Sequence, residues 1–149
     1  MLQLNRTTAS DPDFQYLVHA LDQELSMLYG DEQEFFQGHN HIDLSAKVIV
    51  AYHQNQPVAC GCFRPAAENC IEIKRMFTKP EMRNQGFAKK ILNALEAWAL
   101  EENVERIILE TGVKQPEAVA AYTKSGYKVI ENYGPYVNNA SSICMEKFL

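Results

Sequence analysis

The sequence predicts a single mixed α/β domain in which helices cross between strands in the C-terminal half. Two observations carry this prediction. Apolar residues recur at helical spacing in some segments, while others are short, β-branched or alternating and are bounded by turn residues. These two kinds of segment alternate along the chain, as they do in mixed α/β folds. The 149 residues suit one domain spanning positions 1–149, with enough length for its own core.

The N-terminal half is predicted to hold a strand, a helix and three more strands. Residues 2–6 form the first strand, and a helix begins at Asp11-Pro12-Asp13, where an acid and a proline favour a first turn. The helix ends at Gly30. Residues 31–45 are polar and are predicted to form a loop or a short broken helix. The strands that follow are 47–52, 57–63 and 70–78.

The C-terminal half is predicted to alternate helices and strands. Residues 87–103 give the strongest helical pattern, with one continuous apolar face. A buried β-branched strand spans 106–111. A helix over 116–125 starts at Pro116 and is closed by Gly126. The last strands are 127–130 and 143–148, joined through residues 132–139.

Composition excludes several classes of protein. The formal net charge of −5 argues against nonspecific nucleic-acid binding, which needs a basic surface. No apolar run approaches the roughly 20 residues of a membrane span, and no signal-peptide core is visible, so we expect a cytoplasmic protein with no membrane partner. The four cysteines lack finger-like spacing, so we expect buried thiols and no metal. They are Cys60, Cys62, Cys70 and Cys144.

A short polar loop between residues 80 and 86 is the main functional signal. A strand ends at Pro80, and a long helix begins just after Gly86. Glycine lets a ligand approach the backbone, and the first N–H groups of a helix lack internal partners at its positive end. A phosphate suits such a place, although an ordinary turn would look alike. The P-loop and dinucleotide fingerprints are both absent.

At this loop the sequence resembles the GNAT acetyltransferase superfamily, whose pattern is Arg/Gln-x-x-Gly-x-Gly/Ala. Here the pattern is Arg83-Asn84-Gln85-Gly86-Phe87-Ala88, and a second matching segment, Q-P-E-A-V-A-A-Y-T-K-S-G-Y-K, carries Tyr122, Gly126 and Tyr127. The resemblance runs from about residue 48 to residue 130. It implies the GNAT acyltransferase fold, an α/β (α+β) architecture. In that fold a mixed, mostly antiparallel central sheet splays between the fourth and fifth strands and is flanked by helices.

The resemblance also implies acetyl-CoA (coenzyme A) as co-substrate. The backbone of the 76–78 strand end would pair with the pantetheine arm, and amides of residues 84–89 would hold the pyrophosphate. Gln115 stands where many relatives carry asparagine. The cofactor-binding residues so implied are Met76, Phe77, Thr78, Arg83, Asn84, Gln85, Gly86, Phe87, Ala88, Lys89 and Gln115.

Tyr122 and Glu72 are the catalytic candidates that the resemblance implies. Tyr122 would protonate the leaving thiolate, since a tyrosine with an ordinary pKa near 10 is protonated at neutral pH. Its helical spacing equally suits a packing residue. Glu72 would be the general base, and strand alternation turns it away from Ile73, to the side of Lys74 and Met76. A salt-bridged strand residue, a water relay and the lack of a dedicated base stay open. An amide of Met76 or Phe77 would polarise the thioester carbonyl.

The uneven distribution of charge suggests an acceptor site. Eight acids and no Lys or Arg lie in residues 11–46, whereas residues 72–90 hold six bases and two acids. We expect a pocket for a cationic or amine-bearing small molecule, with aromatic walls; a solvated acidic face is the alternative. The candidate acceptor-binding residues are Tyr29, Asp31, Glu32, Tyr133 and Tyr136.

Together these features predict an acetyl-CoA-dependent N-acetyltransferase. It would move an acetyl group to a primary amine by direct attack in a ternary complex, with a small amine-bearing metabolite as acceptor. The alternative is a non-catalytic acyl-CoA-binding regulatory module that needs the loop but neither Tyr122 nor a base. A general phosphate or nucleotide binder is a third reading. A homodimer is common in the family and is possible here.

Overall fold

A computed structural model describes residues 2–30 and 43–149, which form a seven-stranded sheet flanked by α-helices. In chain order the strands are β1 (Leu2–Thr8), β2 (Lys47–His53), β3 (Gln56–Ala67), β4 (Cys70–Thr78), β5 (Arg106–Gly112), β6 (Lys128–Ile130) and β7 (Ser142–Phe148). The helices are α1 (Pro12–Tyr29), α2 (Phe87–Glu101) and α3 (Pro116–Lys124). Single 3-10 turns lie at Pro80–Met82 and Gly134–Tyr136.

The sheet has the order β1-β2-β3-β4-β5-β7-β6 and opens between its two parallel strands. All neighbours are antiparallel except β4 and β5, whose pairing starts at Cys70↔Arg106 and stops at Ile73↔Leu109. β4 continues to Thr78, and β5 continues along β7 as far as Gly112. The predicted fold class, including the splay between the fourth and fifth strands, is confirmed.

Two apolar clusters cover opposite faces of the sheet. On one face α2 buries residues such as Ile91 and Leu95 against Ile73 and Leu109. On the other face α1 buries Leu17 among the inward residues of β2 and β3. The fold therefore separates an α1 face from an α2 face, and the gap between β4 and β5 connects them.

A β-bulge interrupts β4 and corrects one prediction. Cys62 pairs with Lys74 while Cys60 pairs with Phe77, so two residues of β4 oppose one of β3, and Arg75 has a φ of 59°. The extra residue reverses the alternation beyond it. Glu72 and Lys74 share the α1 face, but Met76 packs into the α2 cluster, so the prediction that Met76 lies on the side of Glu72 was wrong.

Most predicted elements are present, and the differences lie at their ends. The Asp11 side chain accepts a hydrogen bond from the backbone N–H of Asp13 at 2.8 Å and caps α1, which ends at Gly30 with a φ of 55°. β1 and β3 run beyond their predicted ends, to Thr8 and Ala67, because neighbouring strands pair with them there. The predicted loop at 31–45 lies mainly outside the described residues.

Two ion pairs tie α1 to the strand and loop that border the gap. Arg75 Nη1 donates to Asp22 at 2.6 Å, and the Arg75 side chain is only 7% exposed. Arg83 Nη2 donates to Glu24 at 2.7 Å, with side chains 37% and 28% exposed. The acids of α1 thus hold the basic segment 72–90 in place. No described helix has the length and apolarity that crossing a membrane would require.

The buried pair predicts a large effect on stability. Asp22→Ala leaves the Arg75 guanidinium buried without this carboxylate, so we expect the free energy of unfolding to fall by about 3 kcal/mol. That corresponds to a melting temperature lower by roughly 6–12 °C. Glu24→Ala, the matched variant at the more exposed pair, should cost less than about 1 kcal/mol. Thermal unfolding of both variants checks this, and equal losses would contradict it.

Candidate functional site

The loop before α2 presents backbone N–H groups without hydrogen-bond acceptors in the described parts of the chain. Arg83 N–H donates to Pro80 O at 3.3 Å and Lys90 N–H to Gly86 O at 3.1 Å, but the amides of residues 84–89 make no such bond there. Asn84 and Gly86 have φ values of 65° and 81°, which turn the chain into the helix. No acidic side chain lies in the first turn of α2. Six amides at a helix N-terminus form a cradle suited to a phosphate group.

The side chain of Arg83 connects this loop to the end of β4 and to α1. Its Nε donates to Thr78 O at 2.9 Å, its Nη2 holds Glu24, and its guanidinium lies 5.7 Å from the centre of the Phe77 ring. The predicted anion site thus presents backbone amides of the pattern, with the arginine side chain fixing their position.

A cavity of about 90 Å³ occupies the gap between β4 and β5. It reaches both faces of the sheet, because α1 contributes Leu21 and Leu25 on one side and α3 contributes Ala118 on the other. The predicted site residues that line it are Tyr29, Glu72, Met76, Gln115, Tyr122 and Tyr136. The splay therefore gathers in one space residues that are far apart in the sequence.

Tyr122 points from α3 into this cavity. Its ring packs edge-on against Tyr127, with centroids 5.8 Å apart. Burial, and to a lesser extent the charge of Glu110, raise the pKa of Tyr122 above its ordinary value. The hydroxyl is therefore protonated at neutral pH, which is the state that a proton donor requires.

Glu110 lines the same cavity, and the sequence reasoning missed it. Its Oε2 accepts a hydrogen bond from Ser142 Oγ at 2.7 Å. Burial raises the pKa of Glu110 to about 7, while Ser142 and Lys74 oppose the shift. A carboxyl that titrates near neutrality can take up a proton in a reaction. The available signal was one acid within the apolar run of β5.

Glu72 has both carboxylate oxygens engaged. Arg64 Nε and Nη2 donate to Oε1 at 3.1 and 2.9 Å, and the Tyr133 hydroxyl donates to Oε2 at 2.7 Å. The Glu72 side chain is 4% exposed. Glu72 therefore fastens the turn that carries Tyr133 to the sheet, and the salt-bridged role that the sequence left open is the one observed.

The same turn places Tyr136 beside a buried lysine. The Tyr136 and Tyr133 rings meet edge-on at 5.7 Å, and Lys74 Nζ donates to the Tyr136 hydroxyl at 3.3 Å. Burial, the largest cause, lowers the pKa of Lys74 despite the attraction of Glu72. Tyr136 lines the cavity, as predicted. Tyr133 is not a lining residue and packs against the ring of Tyr136 instead.

Tyr29 closes one end of the cavity. Its hydroxyl donates to Gln115 Oε1 at 3.3 Å and accepts from the Lys114 N–H at 3.3 Å. It lies directly over Gly112, where a Cβ would overlap the hydroxyl. The end of α1 is thereby fixed to the turn between β5 and α3. Asp31 and Glu32, the other acceptor candidates, lie outside the described residues.

The four cysteines are buried free thiols, as expected. Burial raises the pKa of Cys144 to about 11. Within residues 2–30 and 43–149, no group of three or more His, Cys, Asp or Glu side chains is placed to hold a metal ion.

Comparisons with known proteins agree on one family. The acetyltransferase (GNAT) family model matches residues 11–127. An IAA acetyltransferase of Azospirillum brasilense is 32% identical over 139 residues, covering 88% of this chain and 87% of the relative. A Klebsiella pneumoniae structure assigned as an acyl-CoA N-acyltransferase is 29% identical, with a TM-score of 0.85 over 100% of this chain and 98% of that one.

A GNAT acetyltransferase from Elizabethkingia anophelis, solved with acetyl-CoA bound, is similar in fold. Its TM-score is 0.72 at 16% identity, covering 99% of this chain and 98% of that one.

Gly112 is predicted to be required for the packing at Tyr29. Gly112→Ala forces the tyrosine to move, so we expect a loss of about 1–3 kcal/mol in the free energy of unfolding, measured by denaturant unfolding. Tyr29→Leu removes the obstructing end of the side chain, so the double variant should cost clearly less than the sum of the two single variants. Additive losses would show that the contact is unimportant.

Proposed function

The chain belongs to the acetyltransferase (GNAT) family, and from this premise we propose that it is an acetyl-CoA-dependent N-acetyltransferase acting on a small primary amine. The acetyl group passes directly from the thioester to the amine in a ternary complex. The observation that carries this proposal is the cavity in the sheet gap, which is lined both by Tyr122 of α3 and by Glu110 of β5.

Two features support acetyl-CoA as the co-substrate. The amides of residues 84–89 offer a cradle for its pyrophosphate. Beyond Ile73, β4 no longer pairs with β5, so its edge at Met76 and Thr78 can accept the pantetheine arm as an added strand. Gln115 lies in the cavity wall. The acetyl-CoA bound to the Elizabethkingia anophelis relative, which shares the fold, agrees with this assignment.

We assign the general base to Glu110. A protonated amine cannot attack a thioester, and a carboxyl whose pKa is raised to about 7 is poised to take the proton. Glu72, the base implied by the resemblance, is less suited, because hydrogen bonds from Arg64 and Tyr133 occupy both of its carboxylate oxygens. Its role here is to position the acceptor wall.

Tyr122 is assigned as the general acid. As the N–C bond forms and the C–S bond breaks, the amine proton passes to Glu110 and the Tyr122 hydroxyl protonates the leaving sulfur. A backbone N–H next to the bulge, at Met76 or Phe77, polarises the thioester carbonyl. The step balances for an amine that enters in its neutral form: one proton leaves nitrogen for Glu110, one passes from Tyr122 to sulfur, and exchange with solvent then restores both side chains.

The competing readings differ from this proposal in what they require. A non-catalytic acyl-CoA-binding module needs the amide cradle but no acid–base pair, and a nucleotide binder would prefer ATP to coenzyme A. The location of Tyr122 and Glu110 in one cavity favours the enzyme. Cytoplasmic location and a homodimer stay predictions from the sequence.

Replacing the acid tests the proposal directly. Tyr122→Phe should lower kcat by about 100-fold, because general acid catalysis is lost, while the Kd for coenzyme A changes less than about 3-fold. Steady-state assays of free thiol release and calorimetry measure the two. Tyr127→Phe, in the adjacent ring outside the cavity, is the matched control and should retain kcat. A Tyr122→Phe enzyme of full activity would refute the assignment.

Replacing the base predicts a change in pH dependence. Since the ionised carboxylate is the active form, kcat/KM should rise with pH through about 7. Glu110→Gln should lower kcat/KM by about 100-fold or more and remove that inflection. Among the described residues, the charged or titratable groups that interact with Glu110 are Glu72, Lys74, Tyr122, Tyr136 and Cys144.

The comparison variant is Glu72→Gln. It should keep the inflection near 7 and mainly raise the acceptor KM, because the Tyr133 turn loses its anchor. Loss of the inflection in Glu72→Gln, with its survival in Glu110→Gln, would assign the base to Glu72.

A further inference from the structure

The two faces of the gap offer different surroundings to the two substrates. On the α2 face, Met76 and Tyr122 pack into the apolar cluster next to the helix that carries the amide cradle. On the α1 face, Glu72 and Lys74 project from β4 and Glu110 from β5. If acetyl-CoA enters by the cradle, as the proposed function requires, the acceptor reaches the thioester from the α1 face.

Among the described residues, ion pairs on the α1 face engage several of the charges near the gap. Arg75 is paired with Asp22, and Glu72 with Arg64. Lys74 and Glu110 lie across the gap from each other, on the two strands whose pairing has just ended, and both line the cavity. A positive and a negative group therefore face the acceptor's space from opposite walls.

Because Lys74 and Glu110 are largely buried, an oppositely charged ligand group would stabilise the charged form of each. Lys74 is 8% exposed, and burial lowers the pKa of its ammonium group even though the charges of Glu72 and Glu110 raise it. An anionic group placed against Lys74 would offset that cost of burial. The ammonium has three donors, and the bond to the Tyr136 hydroxyl fixes its direction.

Resting on the proposed function, we propose that the acceptor is an amino acid, a small amine bearing a carboxylate. Lys74 binds its carboxylate, and Glu110 binds its amine. These two contacts fix the orientation of the acceptor in the cavity. Its carboxylate lies against β4 beside Tyr136, and its amine lies against β5 beside Ser142.

The cavity volume favours a small acceptor. The 90 Å³ accommodates roughly six to nine water-sized groups, and the acetyl thioester takes part of this space. An amino acid with a short chain between its two charged groups fits what is left. The expectation of a cationic or amine-bearing acceptor thereby narrows to an amine that carries a carboxylate, because Asp22 and Glu24 are bonded to Arg75 and Arg83.

Matched acceptors test the proposal. Acetyl transfer is measured to glycine, β-alanine and 4-aminobutyrate and to the amide of each, which keeps the amine and removes the negative charge. We expect kcat/KM for the best acid to exceed that of its amide by about 10- to 100-fold. Lys74→Met, which has a similar volume and no charge, should bring this ratio close to one.

Lys128→Met, at an exposed lysine of β6 away from the cavity, is the matched control and should retain the preference for acids. A wild-type enzyme that acetylates the amides as well as the acids, or prefers them, overturns the amino-acid assignment and leaves the acetyltransferase proposal intact. Transfer to no amine of any charge overturns both. If Lys74→Met does not fold, the wild-type ratio of acid to amide decides alone.

Discussion

The early end of the β4–β5 pairing is the constraint on which the rest of the site depends. After four residue pairs the strands part, and β5 stays with β7 while β4 follows β3 through the bulge at Arg75. Backbone groups that lose a sheet partner need another acceptor or donor. The gap therefore exposes strand edge that a ligand can pair with, and it opens a passage between the two faces of the sheet. The Asp22–Arg75 pair holds α1 against the bulge that borders this passage.

The two faces of the sheet differ in polarity and therefore suit different substrates. The α2 face is apolar and ends in the amide cradle, which suits the long anionic co-substrate. The α1 face carries paired and buried charges, which suit a small polar acceptor. The aromatic turn before β7 is held on the α1 face, because Glu72 fixes the Tyr133 ring and Lys74 bonds the Tyr136 hydroxyl. The proposed catalytic residues, Tyr122 and Glu110, thus meet where the sheet is open.

Most of the fold could be predicted from sequence, because local periodicity, caps and turn residues determine where helices and strands lie. The loop at Gly86 and the helix after it were visible for the same reason. The bulge at Arg75 was not, since an inserted residue reverses alternation without a local signal. The roles of Glu72 and Glu110 depend on partners 61 and 32 residues away in the chain, Tyr133 and Ser142, so only the folded structure separates the anchored acid from the protonatable one.

Amide hydrogen exchange, measured with and without acetyl-CoA, tests most directly whether the open edge of β4 and the loop at Gly86 form one binding surface. The account predicts that the co-substrate slows exchange together in residues 76–78 and 84–89, while the paired stretch of β4 before Ile73 is little changed. Slowing confined to another part of the chain, or no slowing at saturating acetyl-CoA, would contradict it.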